Sequence, residues 1–429
     1  MNIVLVNDGT SGDMHPFFAV GRELAQRGHD IVVCTNDVYR APVERLGFHF
    51  VSTGTEQEYE ANTSNPDMWS SSKARVTAWK EIVVPRLRPL HDLLERQVQG
   101  DTLIICGLLT AAFARAVQER RGVPLLTVVL SPQVFFSARS PAKGLPVPAW
   151  LPYPARAALL RGLDFAIDSV MAPDLNRFRA ELGLPPVSRI RSRRVFSPQG
   201  TLGLFPEWYA QRQSDWAEKL SLTGFPLFDE GRHTADPLLE QFLAAGTPPV
   251  VFTAGTGMRH AHAFFATAVE LLRRVGRRGV FLSKSAQQIP AALPVEILYR
   301  DYAPMNTLLP RSAALVHHGG IGTTAEALAA GIPQLVVPYA YDQFDNGERL
   351  RRLGCGASLK DLGQLPAAEL ALARLLENDG VRQACKHYQG LIEPGRIAAA
   401  RAADVVEQLG RDAYGGEGHN NYRAATAAK

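Results

Sequence analysis

The chain writes the same short phrase twice. An apolar run, Asn2-Ile3-Val4-Leu5-Val6, gives way to a Gly-rich turn over 9–13 and then to a helical pattern from about Pro16 to Arg27. Gly28-His29 ends that pattern, and Asp30-Ile31-Val32-Val33-Cys34 is the next apolar run. In the second half Pro249-Val250-Val251-Phe252-Thr253 is followed by the turn Ala254-Gly255-Thr256-Gly257 and a helical pattern over 261–274. Strand, turn, helix, strand in that order is a βαβ unit, which requires a parallel sheet with right-handed crossovers. The runs at 103–105, 125–130, 279–283, 314–316 and 334–337 read as further strands covered on both faces. The pattern predicts an α/β protein with two facing Rossmann-like, doubly wound domains and a cleft between them.

The expected divisions are an acceptor-side domain over 1–222, a hinge over 223–248 and a second domain over 249–394. A C-terminal helix over 395–411, after Pro394-Gly395, and a flexible polar tail over 412–429 complete the chain. Its 429 residues suffice for two or three domains. A net charge of +4, with no basic stripe interleaved with aromatics, argues against nucleic acid as a partner. The cysteines Cys34, Cys106, Cys355 and Cys385 are scattered, without metal-type spacing or a disulfide framework. With neither a signal-peptide pattern nor an apolar run of membrane-spanning length, the reading is a cytoplasmic protein.

The densest chemistry lies in His317-His318-Gly319-Gly320-Ile321-Gly322-Thr323-Thr324-Ala325-Glu326, directly after the apolar run 313–316. Glycines let a backbone approach an anion, and a helix start presents free N–H groups to it, so this turn suits a diphosphate. Asp342-Gln343, a short way downstream, is an acid-amide pair able to grip sugar hydroxyls. A helix cap followed by a solvated acidic turn is the plain structural alternative. In the N-terminal turn, Gly12-Asp13-Met14-His15-Pro16 places a carboxylate at the carboxyl end of the first strand, where open parallel sheets bind ligands. Asp13 there is either a helix cap or a general base for an attacking hydroxyl.

The spacing from His318 to Glu326 and on through Gly331, Pro333, Pro338 and Asp342-Gln343 resembles the donor signature of the nucleotide-sugar glycosyltransferases of family 1, which have the GT-B fold. The resemblance implies that a histidine, together with Gly320, Gly322, Thr323 and Thr256, binds the donor diphosphate. Counting back from Glu326 selects His318, and His317 beside it is the other candidate. It further implies that Tyr302 stacks on the nucleobase, backbone at Ala303 pairs with its edge, Glu326 binds ribose, and Asp342 and Gln343 hold the donor sugar. Asp13 stands where plant members carry the catalytic histidine. One base and an in-line displacement imply inversion at the anomeric carbon. No Asp-x-Asp turn suggests a bound metal, so neither metal nor cofactor is expected.

Two further stretches, Ser197-Pro198-Gln199-Gly200 with Thr223-Gly224-Phe225-Pro226, and Asp342 to Gly356, resemble the rhamnosyltransferases of bacterial rhamnolipid synthesis. That branch implies dTDP-rhamnose as donor and the hydroxyl of a 3-(3-hydroxyalkanoyloxy)alkanoate, a lipid, as acceptor. Relatives that make glucolipids from UDP-glucose keep the sugar open, and a natural-product acceptor is the alternative. A nucleotide-sugar-binding subunit without turnover is a third reading, which an intact Asp13 argues against. Phe17, Gln133, Phe135 and Phe136, with Trp150, are the expected acceptor-wall residues. The stretch 145–161 mixes apolar and basic residues and is either an ordinary surface helix, a peripheral contact at the inner membrane or a cover over the acceptor pocket. Association with the synthase that supplies the lipid is a further expected partnership.

Overall fold

The structure, a computed structural model, describes residues 1–229, 231 and 236–415. Of the expected tail over 412–429, residues 412–414 instead continue the last helix, and the part beyond Gly415 lies outside the described residues.

Two all-parallel sheets organise the chain. The first contains β1 (Asn2–Val6), β2 (Asp30–Thr35), β3 (His49–Ser52), β4 (Thr102–Cys106), β5 (Leu125–Val129), β6 (Thr201–Gly203) and β7 (Leu220–Leu222). Its spatial order is β3-β2-β1-β4-β5-β6-β7. The second contains β8 (Val250–Thr253), β9 (Gly279–Leu282), β10 (Ile297–Arg300), β11 (Ala314–His317), β12 (Gln334–Val336) and β13 (Gly356–Ser358). Its order, β10-β9-β8-β11-β12-β13, repeats the arrangement of the first. In each sheet the order reverses beside the first strand, between β1 and β4 and between β8 and β11, which is where such sheets open a crevice.

Side-chain alternation explains why both faces are covered. Ile3 and Leu5 of β1, with Leu103 and Ile105 of β4, point to one face and pack with Phe18 and Leu24. Val4, Val6, Ile104 and Cys106 point to the other and pack with Leu87, Leu94 and Phe113. These side chains are fully buried, and truncating such a residue costs about 2–5 kcal/mol. The short strands β6, β7 and β13 and the edge strands β3 and β10 do not write an apolar run in the sequence.

The last helix, Gly395–Tyr414, returns to the first domain, where Ala399, Ala402, Ala403 and Val406 join the core around Ile3 and Leu5. Small residues allow that close approach: a Cβ on Gly395 would meet the Leu227 carbonyl oxygen at 2.2 Å. Arg27 fixes the crossing through Asp404 at 2.7 Å and Glu407 at 3.1 Å. Among the described residues no helix is long and apolar enough to cross a membrane.

Candidate active site

The first helix begins earlier than the sequence suggested. It runs Ser11–Gln26, so the Gly-rich turn is its opening turn and Pro16 lies inside it. Thr10 caps the start, and Asp13 closes a capping box: Asp13 Oδ2 accepts the Thr10 N–H at 2.8 Å and its hydroxyl at 3.0 Å. Asn7 Nδ2 donates to the Asp13 carbonyl at 3.1 Å and ties the turn to the end of β1. Burial raises the Asp13 carboxyl above the ordinary range, and the two Thr10 bonds oppose that shift. The side chain is half-buried and lines the interdomain cleft.

Across the cleft, Gly319 turns the chain from β11 into the helix Ile321–Ala330 with φ +90°, a conformation that side chains rarely adopt. No side chain caps this helix at Gly320, so its first N–H groups face the cleft. The His318 ring is slotted between two glycines. A Cβ on Gly320 would lie 2.4 Å from His318 Nε2, and one on Gly255 2.7 Å from Cε1. His318 Nδ1 is buried with no hydrogen-bond partner among the described residues. Burial lowers the His318 pKa to about 4, so the ring is neutral at pH 7. The two helix starts nearly touch: a Cβ on Gly322 would sit 3.6 Å from the Gly12 Cα.

The two histidines separate cleanly. His318 lines the cleft, whereas His317, the last residue of β11, is fully buried and does not. Adjacent residues at a strand end point to opposite faces. His317 Nδ1 accepts the Gly319 N–H at 3.2 Å, and burial lowers its pKa to about 3. Its place is inside the turn that shapes the site.

Thr256, Gly320, Gly322, Thr323, Tyr302, Ala303, Glu326, Asp342 and Gln343 all line one cavity of about 1050 Å³ together with Asp13 and His318. Burial, reinforced by Asp229, raises Glu326 to about 7. Burial raises Asp342 to about 6, with Asn346 opposing and Asp13 adding to the shift from across the cleft. Gln343 carries a structural load as well, since its Oε1 accepts the N–H groups of Tyr339 at 2.7 Å and Ala340 at 3.0 Å. That clamp shapes a turn in which Tyr341 takes φ +57°.

Of the acceptor-wall residues, Phe17 and Gln133 line the cavity and Phe135, Phe136 and Trp150 do not. Phe135 is consumed by the core, stacked on Trp216 at 4.5 Å and on Phe196 at 5.3 Å. Phe136 lies outside the cavity under the Arg191 guanidinium, 4.8 Å from its ring centre. Trp150 is 82% exposed on the outer surface. The apolar wall comes instead from Trp69, Trp79, Ile82, Leu109, Val170 and Met171, with Arg75 and Arg191 among them. Sequence reasoning missed these because they come from irregular segments and a long helix, Tyr153–Glu181, with no motif of their own.

Asp345 and Asn346 tie the domains together. Asp345 Oδ1 accepts the Lys143 N–H at 2.9 Å, and Asn346 Oδ1 accepts the Tyr209 hydroxyl at 2.9 Å. Asn346 Nδ2 donates to the Gly319 carbonyl and to Asp342 Oδ2, both at 2.8 Å, linking the glycine turn to the acid. Among the described residues, the grouping of three side chains near enough to share a metal ion is His91, Asp92 and Glu95, and none of them lines the cleft.

Residues 3–134 match the glycosyltransferase family 28 N-terminal domain, and residues 279–408 match the erythromycin biosynthesis protein CIII-like C-terminal domain. The chain is 30% identical over 423 residues to the O-mycaminosyltylonolide 6-deoxyallosyltransferase of Streptomyces fradiae, covering 94% of each. The glycotransferase of kitacinnamycin superposes with a TM-score of 0.72 at 21% identity, over 95% of this chain and 98% of that one. Glycosyltransferase VinC in complex with dTDP gives 0.66 at 19% identity, over 96% and 100%. Two parallel-sheet domains facing across such a cleft have the GT-B fold. The chain belongs to the nucleotide-sugar glycosyltransferases of the family 1/28, erythromycin-CIII-like type.

Proposed function

We propose that the enzyme transfers rhamnose from dTDP-rhamnose, with inversion, to the free hydroxyl of a 3-(3-hydroxyalkanoyloxy)alkanoate. The observation that carries this reading is the composition of the interdomain cavity. A carboxylate on one helix start faces an uncapped helix start and a neutral histidine on the other, beside a wall of tryptophan and aliphatic side chains. In this mechanism the acceptor O–H gives its proton to Asp13 Oδ1, the oxygen that the Thr10 cap does not use. The acceptor oxygen bonds to the anomeric carbon as the carbon–oxygen bond to the diphosphate breaks. The departing charge falls on the N–H groups of Ile321 to Thr323 and on an N–H of His318, which lines the cleft. Tyr302, Ala303 and Glu326 hold the nucleoside, and Asp342 and Gln343 the sugar.

The apolar wall supports a lipid acceptor, which in this reading is delivered from the inner-membrane face or by a lipid-supplying synthase. A macrolide-like acceptor is the second reading, favoured by the similarity to the tylonolide transferase. The test is turnover of the purified protein with dTDP-rhamnose or UDP-glucose, offered the hydroxyalkanoyloxyalkanoate or a macrolide aglycone. Product mass and anomeric configuration are read together. A rhamnosylated lipid of inverted configuration is the expected result. Product on the macrolide alone overturns the lipid reading.

A further inference from the structure

Two arginines line the acceptor side of the cavity without a stated role in the transfer, Arg75 and Arg191. Among the described residues neither guanidinium has a hydrogen bond or ion pair. They are close enough for the Arg75 charge to act on Arg191, and burial together with Arg75 lowers Arg191 to about 10. The nearest compensating acids act only at a distance, Asp164 on Arg191 and Asp342 on Arg75. Arg191 is half-buried, and an unpaired cation set partly out of solvent beside an apolar wall gains from a ligand that completes it, while Arg75 beside it is more exposed.

The placement of Arg191 is built. It sits on the short turn Ile190–Arg194, which follows Arg189 at φ +52°, a left-handed conformation in a residue with a side chain. Asp168 holds that strain by accepting the N–H groups of Arg189 at 2.5 Å and Ile190 at 2.9 Å. Asp164 anchors the same turn through the Ser192 hydroxyl at 2.6 Å. Phe136 backs the guanidinium. The helix that supplies both aspartates also supplies Val170 and Met171 to the cavity wall, so the cation and the apolar surface are fixed by one element.

We propose that Arg75 and Arg191 form a carboxylate-binding site that anchors the acid end of an amphiphilic acceptor, whose alkyl part lies along Trp79, Ile82, Val170 and Met171. This deepens the lipid reading given above and rests on it for the acceptor's hydroxyl, but the anion site itself is testable without turnover. A guanidinium presents two parallel N–H donors to a carboxylate, a geometry that an alcohol or ester does not satisfy.

The probes are sodium decanoate and decan-1-ol, titrated into the intact protein by calorimetry and by tryptophan fluorescence, since Trp79 lines the site. The acid is expected to bind at least about tenfold more tightly, the effect of a hydrogen bond to a charged group. Arg191→Gln and Arg75→Gln should each reduce that preference to threefold or less. Equal binding of the two probes, or a preference that survives both substitutions, overturns the proposal. So does an Arg191→Gln protein that loses dTDP affinity, which would assign the charge to the donor. In turnover, the wild type should discriminate a 3-(3-hydroxyalkanoyloxy)alkanoate from its methyl ester through KM, and Arg191→Gln should no longer do so. A decanoate preference in a protein that forms no lipid glycoside would leave the anion site standing and remove the lipid-transferase reading.

Discussion

Gly320→Ala isolates the slot that holds His318. Gly320 has φ −62° and ψ 142°, which any residue adopts, so the added methyl group brings no backbone strain. Losing glycine at a helix N-cap costs at most about 1 kcal/mol. The clash is specific: the methyl carbon would lie 2.4 Å from His318 Nε2 and 3.2 Å from Cε1. Gly255 leaves room for the same edge of the ring, since a Cβ there would lie 2.7 Å from Cε1. The ring must swing out of the slot and give up the proposed bond to the donor diphosphate. A hydrogen bond to a charged group is worth about 1.5–3 kcal/mol, so donor affinity should fall by about ten- to a hundredfold. The assay is dTDP binding by calorimetry, with donor kcat/KM alongside and the thermal midpoint as a check on folding. The midpoint should move by no more than a few degrees. His318→Ala should cost a similar factor, and the double variant should be no worse than His318→Ala alone, because both changes remove one interaction. Affinity within twofold of wild type for Gly320→Ala, or losses that multiply in the double variant, would refute the slot.

Asp13→Asn should lower kcat by about a hundred- to ten-thousandfold while leaving dTDP affinity unchanged, read by steady-state kinetics and calorimetry. Thr10→Val removes one of the bonds that lower the Asp13 pKa, so the acid limb of the kcat/KM profile should move to higher pH. Glu326 and Asp342 have folded pKa values, about 7 and about 6, above the ordinary carboxyl range. The folded state then holds protons that the unfolded chain has lost, so stability of the ligand-free protein should fall as pH rises from about 4 to about 7. Melting curves across that range should flatten in Glu326→Gln. His317→Ala should lower the melting temperature, because it empties a fully buried position, and leave dTDP affinity within twofold.

Much of the fold was legible because parallel strands buried on both faces write continuous apolar runs, and the two runs at 2–6 and 250–253 each lead into a glycine turn. The glycine turns of the proposed donor side were legible for a related reason. A site made from backbone N–H groups must place glycines where the chain turns, and Gly255, Gly319 and Gly320 cannot be exchanged without a clash. The acceptor side was not legible. Its wall draws single residues from separate segments, Trp69, Arg75 and Trp79 from one stretch and Val170 and Met171 from a helix far along the chain. Phe135 and Phe136 were misplaced because an aromatic near a strand end has the same appearance whether it faces a cleft or a core. The His317–His318 ambiguity needed the strand geometry, which decides by a single residue which ring faces the cleft.

Asp13 shows why cap and base need not be competing assignments. A general base must keep one lone pair aimed at the acceptor while the substrate exchanges, which a freely rotating carboxylate does not do. The two Thr10 bonds fall on Oδ2 and remove that freedom, leaving Oδ1 as the oxygen outside the cap. The same bonds lower basicity, and burial in the cleft raises it by more, so the net shift is upward. A carboxylate that is both immobilised and more basic than one in water is better suited to taking a proton from a hydroxyl. The helix start, read from sequence as the rival explanation for this residue, is then the device that orients it.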